Sequence, residues 1–193
     1  MRKRLAVLAS GRGSNLRSIH AATLDPSYPA EIVGVLCDVP EAGALPWAAS
    51  VGLPTACVPK KRGTTRAEHE AALQTAIAPW KPDLLVLAGY MRVLSPAFVA
   101  AREGAIVNIH PSLLPDFPGL DTHRRALEDG AKRHGCTVHF VTAGVDEGPR
   151  IASAATDVLS DDTEEVLARR VLALEHRLYP LAIADVVNGI ATP

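Results

Sequence analysis

Apolar residues along the chain fall into short runs, separated by alanine-rich or charged stretches with helical spacing. "RLAVLAS" (4–10), "EIVGVLCD" (31–38), "DLLVLAGY" (83–90) and "AIVNIH" (105–110) are near-continuous apolar runs. Strands buried on both faces of a parallel sheet have this pattern. "PTACVP" predicts a short third strand, between the second and third of these runs. "SNLRSIHAAT", the stretch around 43–51, residues 66–79 and "SPAFVAARE" read as helices, the last with Ser95 as cap and Pro96 at its first position. Such alternation predicts an α/β fold: an open, mostly parallel, twisted sheet with helices on both faces.

The last third changes character. "TVHFVT" (137–142) and "PRIASAATDV" (149–158) predict two more strands, joined by a turn containing Gly144 and Gly148, as an antiparallel extension of the sheet. A long helix follows from near Asp162, which can cap it with Glu165 as the capping-box partner. Leu167, Val171, Leu174, Leu178 and Leu181 share one face of that helix, and Pro180 is expected to kink or divide it. No repeat, low-complexity tract or linker interrupts the chain, so residues 1–193 read as one domain.

Charge narrows the choice of partners. A formal net charge of -1 gives no global pull toward nucleic acid or a membrane surface, so any anion site must be local. Cys37, Cys57 and Cys136 are few, odd in number and without metal-ligand spacing, which fits a reducing compartment. No segment approaches the roughly 20 apolar residues of a membrane span. The expectation is a cytoplasmic protein with small-molecule substrates and no metal.

Four segments carry candidate chemistry. "SGRGSN" (10–15) follows the first strand and opens the first helix. Its glycines and the helix N-terminus suit one phosphate monoester, or a plain turn with Ser14 as N-cap. It lacks the third glycine of a dinucleotide fingerprint. Asn108 and His110 end a strand at i, i+2 spacing, which points both side chains to one side of the sheet. In open α/β sheets ligands bind beyond the carboxyl ends of the strands. A histidine in acid–base work needs an orienting carboxylate. Asp146 in "AGVDEGP" is the candidate, with Asp116 and Asp121 as rivals and His123 and His139 as further histidines. "GYMRVLSP" (89–96) can line a slot for a flat ligand, Arg92 facing either a ligand carboxylate or the protein's own acids.

With these pieces assembled, the sequence resembles the phosphoribosylglycinamide formyltransferase family, the folate-dependent GAR transformylases of purine synthesis. The matching motifs are "SGRGSNL" (10–16), "PDLLVLAGYMRVLSP" (82–96), "IVNIHPSLLPDFPGLDTHRRALEDG" (106–130), "HGCTVHFVTAGVDEGP" (134–149) and "EHRLYP" (175–180). The resemblance implies a Rossmann-like formyltransferase fold and formyl transfer from 10-formyltetrahydrofolate to the amine of glycinamide ribonucleotide. It implies Asn108, His110 and Asp146 as the catalytic trio: Asn108 donating to the developing oxyanion, His110 in charge stabilisation and proton transfer, Asp146 orienting His110. Ribonucleotide contacts would fall on Gly11, Arg12, Gly13, Ser14, Asn15, Pro111 and Glu175. Folate contacts would fall on Arg66, Tyr90, Met91, Arg92, Val93, Leu94, Val99, Thr142, Ala143 and Gly144. The N-terminal half would then serve the ribonucleotide phosphate and the C-terminal half folate and catalysis, in a monomer or homodimer.

Arg12, Asp121 and Leu172 depart from residues that some members carry. Three other readings stay open. A 10-formyltetrahydrofolate hydrolase shares the trio but usually carries an additional N-terminal regulatory domain. A methionyl-tRNA formyltransferase lacks the "SGxGSNL" loop and carries a basic surface and C-terminal extension. A non-catalytic nucleotide- or folate-binding module would leave the trio without a purpose.

Overall fold

The apolar runs become strands because only strands buried on both faces can hide every side chain they carry. The computed structural model describes residues 1–193. Its strands are β1 (Lys3–Ala9), β2 (Ala30–Cys37), β3 (Thr55–Cys57), β4 (Leu84–Leu87), β5 (Ile106–His110), β6 (Arg133–Phe140) and β7 (Arg150–Asp157). They form one sheet in the order β3-β2-β1-β4-β5-β6-β7. Pairings from β3 to β5 are parallel, and β5–β6 and β6–β7 are antiparallel. The expected mostly parallel sheet with an antiparallel C-terminal extension is therefore present.

Helices α1 (Ser14–Thr23), α2 (Ala44–Ser50), α3 (Arg66–Ile77), α4 (Pro96–Ala100), α5 (Thr122–Glu128) and α6 (Glu164–Val187) cover both faces. In β1, Leu5, Val7 and Ala9 join one apolar cluster with Leu16 and Ile19 of α1 and Leu167, Val171 and Tyr179 of α6. Ala6 and Leu8 join a second with Leu73 and Ile77 of α3 and Phe98 of α4. Period-two alternation of one strand thus feeds two cores. No helix is long and apolar enough to cross a membrane.

Several local expectations are corrected. Gly13, in the left-handed region, caps α1, and Ser14 is already helical. Thr163, not Asp162, caps α6 by accepting from the Val166 N–H. The Asp162 carboxylate is instead taken by two Arg170 donors and the Leu159 N–H. Pro180 lies inside α6 without dividing it. The buried stripe of α6 runs through Leu167, Val171, Glu175 and Tyr179, while Leu181 is exposed. Strand β6 starts at Arg133, earlier than its alternation suggested. Helix α5 was not anticipated, although "THRRALEDG" holds good helix formers and a terminal Gly130 with positive φ.

Tyr179 ties this scaffold to the strand ends that matter later. It is fully buried, and its hydroxyl donates toward the carbonyls of Leu87 (2.9 Å) and Val107 (3.2 Å), bridging β4 and β5 from α6. Tyr179→Phe keeps the ring and removes that donor. It should lower the unfolding free energy by about 1 kcal/mol in urea denaturation. An unchanged midpoint would show that the bridge contributes nothing.

Candidate active site

Strand order reverses at β1, whose neighbours are β2 and β4, and a crevice opens beyond the carboxyl ends at such a reversal. The loops that leave β1, β2 and β4 are welded together there. Ser10 N–H donates to the Gly89 carbonyl at 3.0 Å, and Met91 N–H donates to Ser10 Oγ at 2.9 Å. Ser10 Oγ in turn donates to Asp38 Oδ1 at 2.5 Å, and Arg92 closes the network with an ion pair to Asp38. Arg92 therefore answers to one of the protein's own acids. Asp38 is the residue that sequence reasoning missed; its one signal was a lone acid at the end of an apolar strand.

In the glycine loop, the backbone N–H groups of Gly11, Arg12, Gly13, Ser14 and Asn15 have no acceptor within the protein. Gly13 has φ +74°, and a Cβ there would lie 3.0 Å from that of Ala44, so only glycine lets the chain turn this closely. Asn15 Nδ2 donates to Glu175 Oε2 at 2.6 Å, while its Oδ1 is buried without a partner. Burial raises the Glu175 carboxyl above the ordinary range, opposed by the Asn15 hydrogen bond. Glu175 of α6 thus closes on the N-terminal loop.

At the end of β5, His110 is buried with both ring nitrogens facing oxygens. Nδ1 lies 3.3 Å from Asp146 Oδ2, and Nε2 lies 3.0 Å from the Phe117 carbonyl. Nε2–H donates to the Phe117 carbonyl, and the Asp146 carboxylate fixes the orientation of the ring from its Nδ1 side. Asp146 also accepts from the Gly119 N–H at 2.9 Å and faces His139 Nε2 at 3.6 Å. Burial works to raise its carboxyl. Hydrogen bonds from His139 and Gly119, with the charges of His110 and His139, outweigh that and hold it below the usual carboxylate range.

His139 is the cross-strand partner of Asn108. Its Nδ1 donates to the Phe140 carbonyl at 2.9 Å, and its Nε2 lies 3.2 Å from Asn108 Nδ2. A neutral ring accepts from the Asn108 amide, whereas a protonated ring donates to Asp146 and calls for the amide oxygen of Asn108 instead. His139 and Asp146 together decide which way Asn108 presents its N–H groups.

The structure separates the rival carboxylates from His110. Asp121 is exposed and paired with Arg124, and Asp116 is exposed. His123 instead meets His134 at 3.1 Å. Pro111 follows His110, half-buried, and its carbonyl accepts from Thr122 Oγ1 at 2.8 Å, which fastens the loop to α5.

A cleft of about 240 Å³ is lined by Lys60, Arg66, His69, Glu70 and Leu73 on one side and Tyr90, Met91, Arg92, Val93 and Leu94 on the other. Six of the expected folate residues therefore share one wall system. Val99 is buried in the core with Leu94 and Phe98, while Thr142 and Ala143 are exposed and Gly144 half-buried, outside this cleft. The cleft does not include the trio, which sits at the neighbouring strand end.

The formyl transferase family profile matches residues 3–183. This chain belongs to the formyl transferase family. It is 41% identical over 185 residues to phosphoribosylglycinamide formyltransferase of Escherichia coli (strain K12), covering 96% of this chain and 87% of the relative. It is 45% identical over 192 residues to the trifunctional purine biosynthetic protein adenosine-3 of Drosophila melanogaster, covering 98% of this chain but only 14% of that longer protein. Among solved structures, phosphoribosylglycinamide formyltransferase from Brucella melitensis superposes with a TM-score of 0.92 at 51% identity, covering 97% of this chain and 96% of the other. Glycinamide ribonucleotide transformylase 1 from Symbiobacterium toebii gives 0.94 at 45%, covering 97% and 89%.

In β6, His134 is almost fully buried, its Nδ1 has no partner, and Phe117 packs against its ring. Burial first, then the neighbouring His123, push its imidazole down to about 4. An unfolded histidine binds its proton near 6.5, so the folded state binds fewer protons between those values. Stability from this group is complete above about pH 6.5 and drains away as pH falls toward 4. Histidine NMR should find His134 neutral at pH 5.5, and His134→Gln should flatten the acid side of the stability curve. A ring that titrates near 6.5 would contradict the assignment.

Proposed function

We propose that this chain transfers the formyl group of 10-formyltetrahydrofolate to the amine of glycinamide ribonucleotide, in the cytoplasm, as a step of de novo purine biosynthesis. The observation that carries this reading is the linkage of Asn108, His110 and Asp146 at one strand end, Asp146 facing His110 directly and Asn108 through His139. The names of the close relatives point to the same reaction.

The glycine loop offers its N–H groups, with the positive end of α1, to the ribonucleotide phosphate. Asn15 and Glu175 hold polar atoms ready beside it, one of them the unpartnered Asn15 Oδ1. The cleft between α3 and the 90–94 loop receives the folate, its apolar side formed by Met91 and Val93, which are largely exposed. The ribonucleotide amine forms a bond to the formyl carbon, and the carbonyl electrons move onto oxygen. Asn108 donates to that oxyanion where the charge develops. His110, offering Nε2–H in the direction now filled by the Phe117 carbonyl, adds a second donor and a proton path. Collapse of the adduct breaks the bond to the folate nitrogen, which takes a proton as the attacking nitrogen loses one. Asp146 keeps the imidazole oriented and balances the positive charge that develops on it when it takes up a proton.

The test mixes purified protein with glycinamide ribonucleotide and 10-formyltetrahydrofolate and follows tetrahydrofolate release. Release that requires the ribonucleotide is expected. Release in its absence would make the protein a hydrolase, and none in either case would leave a binding module. His110→Ala should reduce turnover by about 10²–10⁴-fold with ribonucleotide affinity retained. Turnover near that of the unaltered protein would remove His110 from the chemistry.

A further inference from the structure

The wall of the cleft that runs from Gly89 to Leu94 has few ties to the body of the protein. The Gly89 carbonyl accepts from the Ser10 N–H at 3.0 Å, and the Met91 N–H donates to Ser10 Oγ at 2.9 Å. Arg92 pairs with Asp38, and the Tyr90 hydroxyl meets His69 Nε2 at 3.3 Å. Residues 89–94 make no other hydrogen bond or ion pair, so all but the Tyr90 contact end on Ser10 or Asp38. Neither of those two residues lines the cleft, and Asp38 is buried. Their effect on a ligand there has to pass through the wall.

Ser10 opens the glycine loop, which makes a phosphate the obvious partner for its hydroxyl. That hydroxyl is already committed. Its single proton goes to Asp38 Oδ1 at 2.5 Å, and its oxygen accepts from Met91. No proton is left for a phosphate. The glycine loop, by contrast, has supports of its own. Ala44 N–H donates to the Gly11 carbonyl at 3.1 Å, Arg17 N–H donates to the Gly13 carbonyl at 3.0 Å, and Asn15 is held by Glu175. Loss of the Ser10 hydroxyl would leave those supports in place and free the wall of the neighbouring cleft.

We propose that Ser10 is a positioning residue for the folate cleft and not a phosphate ligand, an inference that rests on the formyl-transfer reading above. Its hydroxyl, oriented by Asp38, fixes the Met91 N–H and with it the placement of Met91 and Val93, the exposed apolar part of the wall. Asp38 secures the residue between them by pairing with Arg92. A flat ligand binds more tightly against a wall that needs no ordering when it enters.

The experiment measures KM for 10-formyltetrahydrofolate and for glycinamide ribonucleotide in Ser10→Ala. Asp38 keeps Arg92 in that variant, so no buried charge is left alone. KM for the folate should rise roughly tenfold, the factor that about 1.4 kcal/mol represents, while KM for the ribonucleotide stays near that of the unaltered protein. A folate KM that does not move, or a ribonucleotide KM that rises as much or more, would overturn the proposal. If the unaltered protein turns over neither substrate, the formyl-transfer reading fails, and Ser10 is judged by amide hydrogen exchange without ligand. Faster exchange in Ser10→Ala over residues 89–93, with residues 11–15 unchanged, supports its hold on the wall. Unchanged exchange at Met91, or an equal rise in both segments, overturns it.

Discussion

The Asp146 carboxylate is the contact around which the proposed reacting end of this molecule is arranged. One of its oxygens holds His110 Nδ1 and the Gly119 N–H, and the other faces His139, the residue that abuts Asn108. A carboxylate that gathers several polar contacts is worth more than isolated pairs, because burial strengthens each contact and leaves little water to replace one. Its backbone sits in the left-handed region at φ 58°, a conformation that costs about 1 kcal/mol or more for a residue other than glycine. The loop can bring it there only because Gly148 passes so close to Phe140 that a Cβ would meet its carbonyl oxygen at 1.7 Å. Phe117, also at positive φ, brings the opposing carbonyl to His110 from the other side. Strain in two loops thus converges on one imidazole.

A second network does for the proposed binding loops what Asp146 does for the proposed reacting groups. Ser10, Asp38, Arg92 and the Met91 N–H join the glycine loop after β1 to the cleft loop after β4. Asp38 is buried and fully engaged, so removing Arg92 would leave a charge uncompensated in the interior. The two proposed substrate sites consequently share one rigid polar joint. Tyr179 supplies the matching support from below by bridging the carbonyls of β4 and β5.

Much of this was legible in the chain. Apolar runs located the strands, Asn108 and His110 marked the strand end, and "AGVDEGP" offered Asp146 beside the rivals Asp116 and Asp121, among which only the family resemblance chose. What escaped were features that depend on partners distant in sequence. Asp162 looked like a helix cap, but Arg170, eight residues on, takes its carboxylate and leaves the cap to Thr163. His139 was one of two further candidate histidines, with nothing in its own strand to say what it faces. Only antiparallel pairing sets it opposite Asn108, and register cannot be read from one strand alone. Asp38 and Arg92 lie 54 residues apart and meet only because β1 separates their strands in the sheet.

Replacement of Asp146 by Asn tests the account most directly, since it keeps shape and removes charge. Turnover with glycinamide ribonucleotide and 10-formyltetrahydrofolate should fall by about 10²–10⁴-fold, while thermal unfolding stays cooperative and ribonucleotide affinity stays within about twofold. A folded Asp146→Asn protein that turns over at the rate of the unaltered chain would contradict the central role given to this carboxylate.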